Sequence, residues 1–391
     1  MTDVILTINS GSSSMKFSIF SYQKNLNLIF KGEIESIIKD PYLTLFDHNH
    51  TQILKSPIAT KGIEASLQTF FKWFDKAPEA MTLKAVGHRI VHGGKDFFHP
   101  TLVNDEVMKK IAHLIPLAPF HQPKNLEAIK IIKKMHPDIP QIACFDTSFH
   151  KTQKKLATLF AIPRKLMDDG IIRYGFHGIS YEYIASVITQ HIGDIGNQRV
   201  IVAHLGNGAS MCAMYQRKSV ATSMGLTALD GLMMGSRCGT IDPGVILYLL
   251  EEKKLSIEHI RHLLYQESGL LGVSGISNDM RKLQSSLTPH AIEAVDLFCY
   301  IAAKELSALC TSIQGCDAII FTAGIGEQSS IVRKKICEHL QWLGIVLDDH
   351  ANSQHATIIS QKDQSAILVG VIPTNEDNMI AKHTSNQLLN L

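Results

Sequence analysis

A layered α/β fold in two related halves is predicted, on three observations. Short β-rich apolar runs mix with helical periodicities along the whole chain, which indicates α/β layers rather than a sandwich or a bundle. Two strand–turn–strand units of one kind occur about half the chain apart, around Asn9 and around Asn207. No low-complexity linker interrupts the 391 residues, a length that suggests two or three domains and a core large enough to need no disulfide or structural metal.

Taken in chain order, Val4-Ile5-Leu6-Thr7-Ile8 is a short strand that meets the turn Asn9-Ser10-Gly11-Ser12-Ser13-Ser14. It re-emerges with Met15, Phe17 and Ile19 apolar and Lys16 and Ser18 polar, the alternation of a second strand. A helix follows over residues 123–136 and a buried-type strand over Gln141–Phe145, with a domain boundary near residues 149–151. A helix over 180–192 leads into Val200-Ile201-Val202-Ala203, whose turn, His204-Leu205-Gly206-Asn207-Gly208-Ala209-Ser210, carries the strong Asn-Gly hairpin signal. Thr288 can N-cap a helix with Pro289 in its first turn. Ile292, Val295, Phe298, Ala302, Leu306, Leu309 and Ile313 then recur at helical spacing up to Gly315. A strand over 317–321 runs into a glycine turn, and the next helix is expected to begin near Ser330.

Composition narrows the function classes. With 38 Lys+Arg against 36 Asp+Glu the net charge is +2, so no unopposed basic reserve exists for nucleic acid or a membrane surface. The longest apolar stretches, such as residues 366–372, fall far short of the ~20 residues that cross a bilayer. The start, Met1-Thr2-Asp3-Val4, lacks the basic region and cleavage site of a secretory signal. Seven scattered cysteines with no C-x-x-C pair point to a reducing cytoplasm. The 19 histidines include no H-E-x-x-H, which disfavours a histidine-bound metallohydrolase.

Three glycine turns could carry anion chemistry. Backbone N–H groups in a tight glycine turn can converge on an anion, and Ser12, Ser14 and Lys16 add donors to the first. Neither hairpin turn is a P-loop or the dinucleotide fingerprint, and a lone turn of this kind is more often an ordinary hairpin. The third, Phe321-Thr322-Ala323-Gly324-Ile325-Gly326-Glu327, joins a strand to a helix. Arg89 in Gly87-His88-Arg89-Ile90-Val91-His92-Gly93-Gly94, and Arg237 in Gly235-Ser236-Arg237-Cys238-Gly239, offer guanidinium forks for carboxylate or phosphate. Structural ion pairs are the commoner use of a single Arg, as a hydrogen-bonded core position is for His177 in Tyr174-Gly175-Phe176-His177-Gly178. Asp146 and Glu376 each follow a buried-strand pattern, the edge at which α/β sheets bind ligands, although Asp there is often a helix cap.

In this order, the motifs around Asn9, Arg89, Pro116-Leu117-Ala118-Pro119, Asp146, His177, Asn207, Arg237, Asp279, Gly324 and Glu376 closely resemble the acetate kinase family, within the acetate and sugar kinase/chaperone/actin superfamily. The resemblance runs from residue 4 to about 381. It implies a duplicated, actin-like (ribonuclease H-like) ATPase fold, a homodimer, and a cleft between two domains: 1–150 joined by 378–391, and a nucleotide-binding domain, 151–377. The implied reaction is reversible transfer of the γ-phosphoryl of Mg-ATP (Mn²⁺ as a substitute) to acetate, giving acetyl phosphate and ADP.

Carried over by motif, Asn9 and Glu376 would place the metal, Lys16 with Ser12 and Ser14 would meet nucleotide phosphates, and Arg89 would bind the acyl carboxylate. Asp146 matches the catalytic acidic residue, and His177 and Arg237 would stabilise the transition state. The nucleotide would lie on His204, Leu205, Gly206, Asn207 and Gly208, on Asp279, Met280 and Arg281, and on Gly324, Ile325, Gly326, Glu327 and Gln328. Val91, Phe120, His121, Phe176 and Ala228 match the acyl pocket.

Several positions depart from the family pattern, including Thr227-Ala228-Leu229-Asp230-Gly231 where Thr-Pro-Leu-Glu-Gly is common. Phe120 stands where Leu is common and Ala228 where Pro is common, one adding bulk to the pocket and the other removing it; Gln328 replaces Asn and Met280 replaces Phe beside the nucleotide. A propionate or other short-chain acyl kinase is therefore the alternative within the family. An actin- or chaperone-like ATPase switch is the alternative outside it, and such a switch has no use for a carboxylate-binding Arg89.

Overall fold

The strand order repeats. The computed structural model of the chain describes every residue except Ser12, Ser13, Lys24, Ile38, Pro78 and Leu391. Its first sheet contains β1 (Thr2–Ser10), β2 (Met15–Ser21), β3 (Leu28–Glu35), β4 (Tyr42–Asp47), β5 (Gln52–Pro57), β6 (Met81–Ile90), β7 (Thr101–Leu102) and β8 (Gln141–Phe145), in the order β5-β4-β3-β2-β1-β6-β8-β7. The second contains β9 (Val200–Leu205), β10 (Ala209–Tyr215), β11 (Lys218–Thr222), β12 (Ala318–Thr322) and β13 (Leu368–Val371), in the order β11-β10-β9-β12-β13. In each sheet an antiparallel meander of three strands (β1-β2-β3, β9-β10-β11) adds two parallel strands beside its first member (β6 and β8, β12 and β13). The shared order and sense give the expected duplication a topological basis.

Two compact units result, Met1–Ser148 with Asn375–Leu391, and Phe149–Thr374. In the first, the apolar faces of β1, β2 and β4 bury Phe17 and Leu45 against Phe70 and Phe74 of the helix Ile63–Phe74. Phe17 and Phe70 meet at 4.5 Å between ring centroids, and a Cβ on Gly32 would lie 2.2 Å from the Phe17 ring, so β3 needs glycine there. In the second, the helix Gly178–Ile192 packs Tyr181, Ile184 and Ile188 over Val200, Val202 and Ile320. The helices read from periodicity stand at Gln122–Met135, Gly178–Ile192 and Pro289–Ser312. One expectation is corrected: the glycine turn after β12 is itself a helix, Ala323–Gln328, preceding Ser330–Glu338. Among the described residues, no helix is long and apolar enough to cross a membrane.

Each unit buries a neutral histidine. His88 on β6 bonds Gln141 at 2.8 Å, and His150 bonds Ser219 and the carbonyl of Phe176 at 2.8 and 3.0 Å. Burial pulls both pKa values down from 6.5 to about 4, outweighing the opposing hydrogen bonds. A histidine depressed in the folded state contributes stability that is present above its unfolded pKa and is lost as pH falls through the folded one. Stability should therefore decline between pH 6.5 and 4, by up to about 3 kcal/mol per histidine. Chemical denaturation at several pH values checks this: His88→Gln should flatten the profile, and an equally steep profile in that variant would refute the assignment.

Candidate functional site

In the first unit, the candidate residues gather at the carboxyl ends of the parallel strands β1, β6 and β8, where open α/β sheets place ligands. Asn9 closes β1 opposite Lys16 of β2, Arg89 lies near the end of β6, and Asp146 follows β8, its N–H bonded to Ile90 O at 2.9 Å. The Arg89 guanidinium grips Asp146 in fork geometry, Nε to Oδ1 at 2.9 Å and Nη2 to Oδ2 at 2.6 Å. Its Nη1 donates to Asn9 Oδ1 at 3.3 Å and lies 3.9 Å from Glu376 Oε2. Burial opposes the charge on Arg89, but Asp146 and Glu376 more than reverse this and hold its pKa above the ordinary value. Asp146 is 1% exposed and the Arg89 side chain 18%. Asp146 thus holds the Arg89 fork by two side-by-side hydrogen bonds.

Neighbouring segments keep this geometry. Asn125 Oδ1 accepts from Val91 N–H, Gln122 Oε1 accepts from His92 N–H, and Asn125 Nδ2 donates to Ser10 O at 3.0 Å. His121 heads the helix that carries both side chains. Phe120 and His121 are half-buried and Val91 is buried. Asn375 caps the helix Glu376–Leu388 and sets Glu376 in its first turn, while Asp377 accepts from Ser18 Oγ at 2.8 Å. Ser14 closes its turn by accepting from Gly11 N–H at 2.8 Å, Lys16 is exposed, and Ser12 lies outside the described residues.

In the second unit, His177 and Arg237 meet the glycine turn after β9. A Cβ built on Gly208 would lie 3.0 Å from Arg237 Nη2 and 3.2 Å from His177 Nε2. Arg237 is anchored by Nη1 donating to Ala228 O at 2.6 Å. Its loop hangs on the first turn of the helix Gly269–Ser274, where Leu270 and Leu271 N–H bond Met234 and Gly235 O. Gly269, at φ 63°, is required because a Cβ would lie 2.2 Å from Met234 O. His177 sits at φ 56° ahead of the helix Gly178–Ile192, with Nδ1 on Ser210 Oγ at 2.8 Å, and Ser210 also bonds Tyr181 OH at 2.5 Å. Its ring stacks on His204 with centroids 4.2 Å apart. Phe176 and Ala228 are buried close by in the chain.

The remaining nucleotide candidates join the same surface of this unit. A Cβ built on Gly206 would lie 3.8 Å from that of Ala323, and Gln284 Nε2 donates to Ser329 Oγ at 2.7 Å, tying the helix Met280–Gln284 to the segment after β12. Asp279 caps that helix and pairs with the exposed Arg281 at 2.9 Å, whereas Met280 is packed inside. Gly324 faces open space, Gln328 is exposed, and Ile325 is half-buried. Glu327 turns inward: its Oε1 accepts from Ala323 N–H at 2.8 Å and Thr374 N–H at 3.0 Å, so its carboxylate folds the turn. Sequence reasoning passed over Ser210, Tyr181, Gln122 and Asn125. Each reads as an ordinary polar residue of a strand or helix, and only tertiary contact gives it a task.

The sequence model of the acetokinase family matches residues 4–382. The acetate kinase of Rhodopseudomonas palustris is 48% identical over 98% of both chains, and that of Rickettsia felis 44% identical over 98% of both. A crystal structure of a propionate kinase from Francisella tularensis superposes with a TM-score of 0.91 at 35% identity, over 98% of this chain and 99% of that one. The acetate kinase of Porphyromonas gingivalis gives 0.87 at 33% identity, over 99% and 100%. With geometry, family model and relatives in agreement, the chain belongs to the acetokinase family.

Proposed function

We propose that the chain is a kinase that moves the γ-phosphoryl group of ATP to acetate, reversibly, giving acetyl phosphate and ADP. The observation that carries the reading is the convergence of Arg237 and His177 on the backbone of Gly208, cationic and polar donors aimed at a glycine turn. Acetate is an ionised nucleophile at neutral pH, so no strong base is needed, and catalysis reduces to positioning and charge neutralisation. Arg89 binds the acyl carboxylate with the donors that Asp146 leaves it, and Asp146 holds the fork in plane. Arg237 and His177 neutralise charge on the transferring group, with His177 oriented through Ser210. The turns at residues 204–208, 279–281 and 324–328 hold the nucleotide, and Lys16 meets its phosphates with Ser12 and Ser14.

The donor set suits a hard divalent cation. Asn9 Oδ1 and Glu376 Oε2 approach the same Arg89 nitrogen, and the buried Ser10 Oγ has no hydrogen-bond partner among the described residues. Mg²⁺ or Mn²⁺ takes one or two protein oxygens and completes its shell with water and phosphate. Asn9 and Glu376 would hold it, and when bound it screens phosphate charge.

Trapping acyl phosphate as hydroxamate, with acetate, propionate and butyrate and several nucleotides, tests the reading. Formation of acetyl hydroxamate that depends on ATP is expected, and its absence overturns the proposal. Propionate is the second reading, favoured by the 35%-identical propionate kinase and by the small Ala228. An apolar pocket separates one methylene by only about 1–3 kcal/mol, so preference should be graded. If Phe120 lines that pocket, Phe120→Leu should raise the propionate/acetate ratio of kcat/KM. An unchanged ratio with a lower Tm would mean that Phe120 only packs.

A homodimer in a reducing cytoplasm completes the reading, and the helix Pro243–Glu251 supports the first part. It carries Val245, Ile246, Leu247, Tyr248, Leu249 and Leu250 in succession, yet buries none; Leu247 is 55% exposed. Apolar surface of this kind calls for a partner, here a second copy. Wild type should sediment as two chains and Leu247→Glu as one; a wild type that sediments as a single chain would remove the dimer.

A further inference from the structure

Arg333 is wholly buried, yet no carboxylate among the described residues pairs with it. A buried cation without a counter-charge is costly, and the ordinary occupant of such a position is apolar. Arg333 lies in the helix Ser330–Glu338, immediately after the turn that faces the proposed nucleotide. All five of its N–H donors find acceptors. Nη1 donates to Gly326 O and Glu327 O at 2.8 and 2.9 Å; Nε and Nη2 donate to Asn352 Oδ1 and O at 2.8 and 2.7 Å; Nη2 also meets His355 Nδ1 at 3.0 Å. Because a guanidinium can only donate, His355 Nδ1 is the acceptor. Burial draws the Arg333 pKa down to about 10, so the group stays charged at neutral pH.

The arrangement has one fixed end and one functional end. Asn352 is itself held by Nδ2 donating to Ser330 O at 2.9 Å. The other end takes the last carbonyls of the helix Ala323–Gln328, groups that a helix terminus leaves without partners. Glu327 is thereby pinned twice, through its main-chain carbonyl by Arg333 and through its carboxylate by Ala323 and Thr374 N–H. Ala323 stands at φ 65°, a left-handed conformation unfavourable for a residue with a Cβ, so the turn needs outside support to keep its shape.

We infer that Arg333 is a positioning residue for nucleotide binding: its planar fork, braced by Asn352 and His355, holds Gly326 and Glu327 so that the 323–328 turn stays in its receiving shape. The inference rests on the nucleotide reading of that turn. Lysine keeps the charge but cannot span these acceptors in one plane. Losing even one hydrogen bond to a charged group is worth about tenfold or more, so Arg333→Lys should weaken ADP binding and raise KM for ATP by at least that factor. KM for acetate should stay within about twofold, since that substrate's proposed contacts lie elsewhere. Asn352→Ala, which loosens the brace and leaves Arg333 in place, should shift the same two constants in the same direction by less, and it decides the matter if Arg333→Lys does not fold. Calorimetric titration of the whole protein with ADP, with initial rates over ATP and acetate, reads these values. Folded variants with lowered Tm but wild-type ADP affinity and KM for ATP would make Arg333 a structural staple and overturn the inference. A wild type that fails to bind ADP would instead overturn the nucleotide reading.

Discussion

Arg237→Ala should lower kcat by about 10²–10³-fold, the usual cost of losing one charge donor aimed at a transition state. Arg237 Nη1 donates to Ala228 O, and its Nη2 lies at Gly208, where His177 Nε2 also comes close. On the proposed reading, removal of the side chain takes away charge where charge develops and leaves the proposed nucleotide turn intact. KM for ATP should therefore move little, and kcat and kcat/KM should fall together, the signature of an interaction made only in the transition state. Arg237→Lys should recover a part of the loss, because an ammonium supplies charge without the planar fork. Stability should hardly change, since Arg237 is half-buried and its loop hangs on main-chain bonds from Leu270 and Leu271. Initial rates over ATP and acetate, with a melting curve, check this, and near-normal turnover in folded Arg237→Ala would remove it from the chemistry.

The site was legible where one residue type in one local pattern carries the chemistry. Arg89, Arg237 and His177 stand among glycines, and Asp146 and Glu376 follow strand patterns, so each could be singled out without a fold. The helix Pro289–Ser312 was legible because its capping residues and its apolar spacing agree. The strands β3, β4 and β5 were not: they mix charged and apolar residues over short spans, and only the pairing of each with its neighbour (β3 on β2, β4 on β3, β5 on β4) defines them. The helix Ala323–Gln328 escaped because glycine argues against helix, while the bond that Thr374 N–H, 47 residues away, donates to the Glu327 carboxylate is a tertiary fact. Arg333 was invisible for a similar reason. In an amphipathic helix an arginine reads as solvated, and nothing local shows that its acceptors are main-chain carbonyls and an asparagine.

Removing both Arg89 and Asp146 should recover stability lost in the single variants but recover no activity. Breaking a buried pair by removing one partner typically costs about 3–5 kcal/mol, because the remaining charge is stranded. Asp146 is 1% exposed, so Arg89→Ala should approach that figure; Asp146→Ala should cost less, because Glu376 stands 3.9 Å from Arg89 as a second carboxylate. The double variant strands no charge and should lose well under the sum of the two, a coupling of about 1–3 kcal/mol for groups in direct contact. Activity should show no such recovery. Without Arg89 the acyl carboxylate loses its charge-assisted donors, so kcat/KM for acetate should fall by about 10²-fold or more in both the single and the double variant. Asp146→Asn is the sharper probe of the carboxylate itself. Its amide oxygen can still accept from Arg89 Nε, but its NH₂ would face the Nη2 donor that now lies 2.6 Å from Oδ2, forcing the fork out of plane. A raised KM for acetate with an unchanged KM for ATP is the expected result. If Asp146→Asn instead lowers kcat alone and leaves the acetate KM untouched, Asp146 acts on the reacting atoms directly and the positioning role fails.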